Sequence, residues 1–242
     1  MTGPSTFTTY ADAVRNFSGE PEAPELLIER QGSLSVFYAP FEWVNTEARL
    51  VLVGITPGRV QAINALREAS RQLGAGADTD TVLRRAKQAA SFSGTMRPNL
   101  VAMLDHIGIN TWLGVPSTSS LFDGRADLLQ SASALQYPVF VDHPLLRAHL
   151  VSHFLPMAVS LPEAVFVPLG PVPTKALTWL TGSHRFRPRA VLAGLPHPSG
   201  ANAERISYFL GRKQRELLSS KTNADKIDAS RTALRSLVST LT

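Results

Sequence analysis

His197 stands in the tetrapeptide His197-Pro198-Ser199-Gly200, directly after the apolar run Ala190-Val191-Leu192-Ala193-Gly194-Leu195. Histidine is the side chain whose ordinary pKa lies closest to neutrality, so it can donate, accept or pass a proton. Pro198 restrains the residue before it to an extended conformation, which projects the ring from a strand end. Ser199 can cap a following helix or touch a phosphate, and with Gly200 the first amides of that helix suit an anion. A second turn, Gly54-Ile55-Thr56-Pro57-Gly58, follows the run Arg49-Leu50-Val51-Leu52-Val53. Its glycines permit a sharp turn and close approach to a ligand, while Pro57 keeps Thr56 extended. The Thr56 hydroxyl can hold a water but cannot act as a carboxylate base. A third element, Phe92-Ser93-Gly94-Thr95 with Arg97-Pro98-Asn99, places an aromatic ring beside small hydroxyl side chains. Such a ring can stack on a nucleobase while Ser93 and Thr95 reach phosphate. Each element also has a plain structural reading: a capped helix, a strand-to-helix turn, or a core phenylalanine.

These turns need strands and helices to aim them. Leu50–Val53 is a continuous apolar run, as expected of a strand covered on both faces. Val60, Ile63, Leu66, Ala69 and Leu73 then fall on one helical face. The pattern predicts a hairpin from Leu26–Arg30 and Leu34–Tyr38, a short helix over 11–17, and a helix over Thr79–Ala90. Pro98 opens another helix that Gly108 stops. Further strands are expected at Thr111–Val115, Tyr137–Val141, Ala164–Leu169 and Ala190–Leu195. Helices are expected at His143–His153, Thr174–Leu180 and Ala201–Leu218, with a last amphipathic helix through Ile227, Leu234, Leu237, Val238 and Leu241. Pro116 to Ser133 is rich in Ser, Gly and Asp and reads as irregular. Strand and helix alternate, which argues for an α/β fold with a mostly parallel sheet and helices on both faces. No internal repeat and no linker divides the chain, so residues 1–242 are expected to form a single domain. Within it, 1–45 is an N-terminal extension carrying the hairpin and 222–242 a C-terminal helix.

Composition sets outer limits. The 242 residues are 44% hydrophobic, enough for a substantial core. The chain has no cysteine, which excludes disulfides, zinc thiolates and iron–sulfur clusters. No apolar stretch is long enough for a membrane helix, and the Thr-rich start does not resemble a secretory signal, so a cytoplasmic protein is expected. Lys plus Arg number 24 against 19 acids, a net charge of +5. That excess suits an anionic partner such as DNA. Positives gather at His184, Arg185, Arg187 and Arg189, and again at Arg205, Arg212, Lys213 and Arg215. Asp105-His106 reads as surface. His149 and His153 are spaced i,i+4 but lack an adjacent acidic ligand, so neither a metal nor any other cofactor is expected.

The two turns, the aromatic segment between them and the strand Val165-Phe166-Val167-Pro168-Leu169-Gly170 resemble, in this order, the uracil-DNA glycosylase superfamily. The resemblance covers roughly Arg49 to Arg215. It implies a three-layer α/β/α fold whose members flip a nucleotide out of DNA and cleave its glycosidic bond. Carried onto this chain, it gives His197 the role of stabilising the departing base near a pyrimidine O2. It stacks Phe92 on that base and lines the sugar and base with Gly54, Ile55, Pro57 and Gly58. Ser93, Thr95, Ser199, Gly200 and Asn202 would hold the DNA backbone, with Arg205, Arg212 and Lys213 on its phosphates.

The departures matter as much. Where many members carry an acid or amide in the first motif, this chain has Ile55 and Thr56. Where many read the uracil edge with an asparagine after a middle strand, it offers Gly114. A replacement acid is expected at Asp142, with Asp123 and Glu42 behind it. The resulting expectation is a monomeric DNA glycosylase that excises a modified pyrimidine, with invading phage DNA as one setting. Alternatives are a plain uracil-DNA glycosylase of base excision repair, a DNA-binding member without catalysis, and an enzyme acting on free nucleosides or nucleotides.

Overall fold

A computed structural model describes residues 6–92, 96–139, 147–183 and 185–241. The expected sites Ser93, Thr95 and Asp142 therefore lie outside the described residues, as does His184. The architecture is α/β, with a mostly parallel sheet flanked by helices, as the alternation predicts. The chain divides into two compact units. One comprises residues 1–44, 55–93 and 131–157; the other comprises 45–54, 94–130 and 158–242.

The first unit is built from helix α1 (Thr6–Arg15), the hairpin β1 (Leu27–Gln31) and β2 (Leu34–Phe37), and the helices α2 (Arg59–Gly74) and α3 (Thr79–Ala90). β1 and β2 pair antiparallel, from Leu27 opposite Phe37 to Gln31 opposite Leu34. The apolar stripe of α2 that the sequence predicts is buried through Ala62, Ala65, Leu66 and Ala69. Asp78 caps α3 by accepting the Thr81 N–H at 2.9 Å.

The second unit holds strand β3 (Leu50–Gly54), helix α4 (Met96–His106) and the short helix α5 (Ile109–Leu113). Strand β4 (Leu129–Ser133) spans the boundary between the units. Between β4 and β5, the helix α6 (Arg147–His149) and the π-helical turn Leu150–Phe154 belong to the first unit, while α7 (Leu155–Val159) crosses the boundary. The second unit continues through β5 (Val165–Pro168), α8 (Pro171–Gly182), β6 (Ala190–Val191), α9 (Ala203–Phe209) and α10 (Ala224–Ser239). The sheet order is β4-β3-β5-β6, with β3–β5 and β5–β6 parallel. Residues 50–53 of β3 and all of β5 are buried, because strands with both faces covered are apolar throughout.

Five expectations are corrected. Thr111–Val115 is not a strand: Ile109 and Leu113, four apart and both buried, make it the helix α5, and Gly114 closes that helix at φ 70°. The polar stretch 116–133 hides β4. Its start is gripped by Asn45, whose Nδ2 donates to the carbonyls of Ala126, Asp127 and Leu129, while its N–H donates to Gln130 Oε1. The strand expected at Tyr137–Val141 is instead irregular as far as it is described. The helix expected over 201–218 ends at Phe209, because Gly211 turns left-handed at φ 72°. β6 is also shorter than expected, although the Leu192 N–H still donates to Phe166 O at 2.8 Å.

The π-helical turn has a local cause. Pro156 lacks an N–H and its ring would crowd a carbonyl one turn back. The wider turn Leu150–Phe154, closed by the Leu155 N–H on Leu150 O, leads into it.

Candidate functional site

The strand order fixes where a ligand belongs. From β3 the sheet continues to β4 on one side and to β5 on the other. In open parallel sheets ligands bind beyond the carboxyl ends at such a reversal. Gly54 ends β3 and Gly170 follows β5 at that point. Gly170 has φ 96°, a conformation that side chains rarely adopt. A Cβ there would stand 3.5 Å from His197 Cβ and 3.7 Å from its Cδ2, so the imidazole packs directly over this glycine.

His197 is half-buried, and its hydrogen bonds settle which nitrogen carries the proton. The Ser199 N–H donates to Nδ1 at 3.2 Å. Ser199 Oγ lies 3.0 Å from the same nitrogen. The direction of that second bond follows from its neighbours. Arg205 can only donate, and it does so to Asn202 Oδ1 at 2.8 Å. That orients Asn202 so that Nδ2 donates to Ser199 Oγ at 3.2 Å. The serine oxygen accepts there and gives its own hydrogen to Nδ1. Nδ1 is thereby an acceptor, and the neutral ring carries its proton on Nε2. Burial lowers the His197 pKa, which favours the neutral form further. Asn99, in the segment read as the third element, donates to Pro198 O at 3.0 Å and anchors the turn.

These bonds revise several expected DNA contacts. Ser199 and Asn202 are occupied in orienting His197, and Arg205 also donates to Lys221 O at 3.1 Å. Lys213 donates to Glu204 Oε1 at 2.7 Å. Glu204 also receives Ser219 and Thr222, and these donors hold its carboxyl well below the usual range. Arg215 pairs with Asp225 and Asp228. Arg212 and Gly200 are exposed. Asp105, expected at the surface, accepts from Ser117 Oγ and from the Thr118 N–H and hydroxyl.

The rest of the first turn belongs to the other unit, and its hydroxyl is committed. Thr56 Oγ1 donates to Tyr137 O at 3.1 Å and accepts the Val139 N–H at 3.2 Å. Ile55 O accepts the Leu135 N–H at 2.8 Å. The turn therefore clamps the segment 135–139 rather than presenting a free hydroxyl. Pro57 is buried, and the Gly58 N–H is capped by Gln61 Oε1 at 2.9 Å. Phe92 is buried and stands at φ 48°, a left-handed conformation unusual for a bulky residue and often found where a site needs it.

The same unit holds a cluster that the sequence ranks low. Tyr38 and Tyr137 face Glu42, with the Tyr137 hydroxyl 3.4 Å from Glu42 Oε1. Lys87, 6% exposed, sends Nζ to the carbonyls of Phe41 at 3.1 Å and Trp43 at 2.5 Å. Burial pushes Glu42 up to about 7, against the opposing pull of its hydrogen bonds and of the Lys87 charge. Burial brings Lys87 down to about 7. Tyr38 stacks on Tyr10 at 4.5 Å, and His153 meets the Tyr137 ring edge-on at 5.1 Å. His149 bonds Glu29 at 2.9 Å. Among the described residues no group of three His, Asp or Glu could hold a metal, and no helix is long and apolar enough to cross a membrane.

Fold and site together define an α/β protein with a tautomer-fixed histidine beyond the carboxyl ends of a parallel sheet. The chain is 32% identical over 203 residues to the Uncharacterized protein YoxB of Bacillus subtilis (strain 168), a match covering 77% of this chain and 79% of that protein. It belongs to the YoxB family. No family profile matches the chain, and no solved structure matches it.

Proposed function

We propose that this protein is a DNA glycosylase that hydrolyses the N-glycosidic bond of a flipped base, acting as a cytoplasmic monomer without metal or cofactor. The observation that carries the reading is His197, held neutral with its proton on Nε2 at the switch point of the sheet. As the bond from C1′ to the base breaks, its electron pair moves onto the base and collects on a carbonyl oxygen. A neutral N–H donor fixed in a partly desolvated site stabilises that charge, and it costs no reorganisation when the charge appears. Gly54 and Gly170 keep the strand ends free of side chains, so a sugar and base can approach the backbone closely. The substrate expected is a modified pyrimidine in preference to uracil, since no acid or amide replaces Ile55 and Thr56 in the first turn.

A DNA-binding protein without catalysis is the second reading. The observation that favours it is the Thr56 hydroxyl, which is spent on Tyr137 and Val139. The deciding experiment incubates the protein with single- and double-stranded DNAs carrying uracil or 5-substituted pyrimidines of increasing size, followed by alkaline cleavage at abasic sites. Abasic product on a substituted pyrimidine supports the glycosylase reading. Tight, salt-dependent binding with no product on any DNA replaces it with the second.

A further inference from the structure

The segment that leads into β6 holds a row of arginines that the histidine site does not use. From residue 158 to residue 203 the second unit carries a single acid, Glu163, against Lys175, Arg185, Arg187 and Arg189. Residues 185–189 run exposed, buried, exposed, half-buried, exposed. That alternation belongs to an extended chain with one face turned inward. Phe186 is the inward anchor, buried with its ring edge-on to Phe166 of β5 at 4.8 Å. Pro188 keeps Arg187 extended. Backbone bonds pin both ends: the Arg185 N–H donates to Leu180 O at 3.3 Å and the Arg189 N–H to Pro162 O at 3.0 Å.

The three arginines therefore stand on alternate residues of a fixed segment, with about 6.6 Å of chain between successive ones. Arg185 and Arg187 form none of the ion pairs found among the described residues. Like charges held this close repel, and a ligand with evenly spaced negative charges relieves that repulsion along the whole row. Arg185 also lies over the half-exposed ring of Trp179 in α8, 5.8 Å from its centroid. The row enters β6 at its amino end, whereas His197 stands beyond the carboxyl ends of the sheet. A nucleotide held at His197 does not reach it.

We propose that residues 185–189, together with Trp179, form a binding surface for single-stranded DNA, separate from the histidine site. Phosphates lie along the arginines and a base stacks on the indole, the pairing of charge and aromatic ring that holds single strands without regard to sequence. A duplex keeps its bases stacked inside and gives the indole nothing to meet. A membrane surface calls for a broad basic patch with apolar side chains, and this row is one residue wide. The proposal shares DNA with the glycosylase reading but needs no catalysis, so it stands or falls by binding alone.

The test uses the full chain and a fluorescein-labelled oligothymidylate of about 16 nucleotides, titrated at several salt concentrations. The variant Arg185→Gln/Arg187→Gln/Arg189→Gln should lose about two units of the slope of log affinity against log salt, at about 0.7 per phosphate contact. Arg187→Gln alone should lose about 0.7, which keeps the test open if the triple variant does not fold. Oligothymidylate should quench the wild-type tryptophan fluorescence, and Trp179→Phe should remove most of that quench. Slopes equal to the wild type's in the arginine variants overturn the proposal, as does an unquenched wild type. Tighter binding of a duplex of the same length, or equal competition by inorganic polyphosphate, overturns the assignment to a single strand. Base excision by the wild type is scored separately, and its absence defeats the glycosylase reading without touching these slopes.

Discussion

The histidine turn and the Glu42 cluster handle buried ionisable groups in opposite ways. At His197 every bond around Nδ1 points inward. Arg205 donates to Asn202, Asn202 to Ser199, and Ser199 to the ring. The result is one protonation state and one tautomer. At Glu42 the Tyr137 hydroxyl reaches one oxygen, the Tyr38 phenol faces the carboxyl, and the Lys87 ammonium binds the carbonyls of Phe41 and Trp43. Burial alone then moves the carboxyl into the neutral range. The contrast shows that desolvation sets the size of a pKa shift, whereas the direction of neighbouring bonds decides whether a group is locked or poised.

The largest expected effect breaks the locked side. His197→Ala should lower single-turnover base excision by about 100-fold or more, with the melting temperature little changed. Undiminished cleavage would remove the ring from the chemistry.

Asn202→Asp sharpens the comparison by reversing the locking bonds. The carboxylate would accept the Ser199 hydroxyl, and Ser199 Oγ would then accept from a protonated Nδ1. The imidazolium gains a partner, so the His197 pKa should rise towards and above its ordinary value. Nitrogen-15 NMR of the imidazole across pH should show that rise. A titration identical to the wild type would mean that the Ser199 N–H alone holds the ring.

Glu42→Gln should also change stability, with a sign set by the raised pKa. Glu42 is protonated in both folded and unfolded chains below about 4.5 and ionised in both above about 7. Between those values the folded state binds the extra proton, so wild-type stability falls as pH rises. The amide lacks that loss. Its melting temperature should exceed the wild type's by about 3–6 °C at pH 8 and match it near pH 4. Equal melting curves at pH 8 would show that Lys87 already compensates the charge.

The smallest effect concerns the basic residues after α9. Lys213 is bound to Glu204, whereas Arg212 is exposed. Arg212→Ala should reduce the salt dependence of DNA binding by at most about one unit, and Lys213→Ala should leave it unchanged. A larger effect of Lys213→Ala would mean that the ion pair opens on DNA.

Much of this molecule was legible in residue order. Residues 50–53 and 165–168 declare themselves as covered strands because nothing polar interrupts them. The His-Pro-Ser turn announces itself because proline and a short hydroxyl constrain the backbone locally. What escaped depends on distant partners. β4 reads as a polar loop because Asn45, 85 residues from Gln130, supplies the bonds that anchor it. Glu42 stands only behind Asp142 among the candidate acids of the sequence, because the surroundings that single it out include Lys87 and Tyr137, the latter 95 residues away. Gly114 and Gly211 misled in the other direction. Their left-handed backbone ends helices at places where side-chain pattern alone suggested a strand or a continuing helix.

The Asn45 clasp carries a kinetic consequence. Its amide joins segments more than 80 residues apart in the chain, to Ala126, Asp127 and Leu129. Closing so long a loop costs entropy before any of these bonds repays it. The clasp is therefore expected to form late in folding, after the local helices. Asn45→Ala should speed unfolding while leaving the refolding rate nearly as it was. In such a chain an asparagine at the foot of a strand sets how long the native state lasts rather than how quickly it is reached.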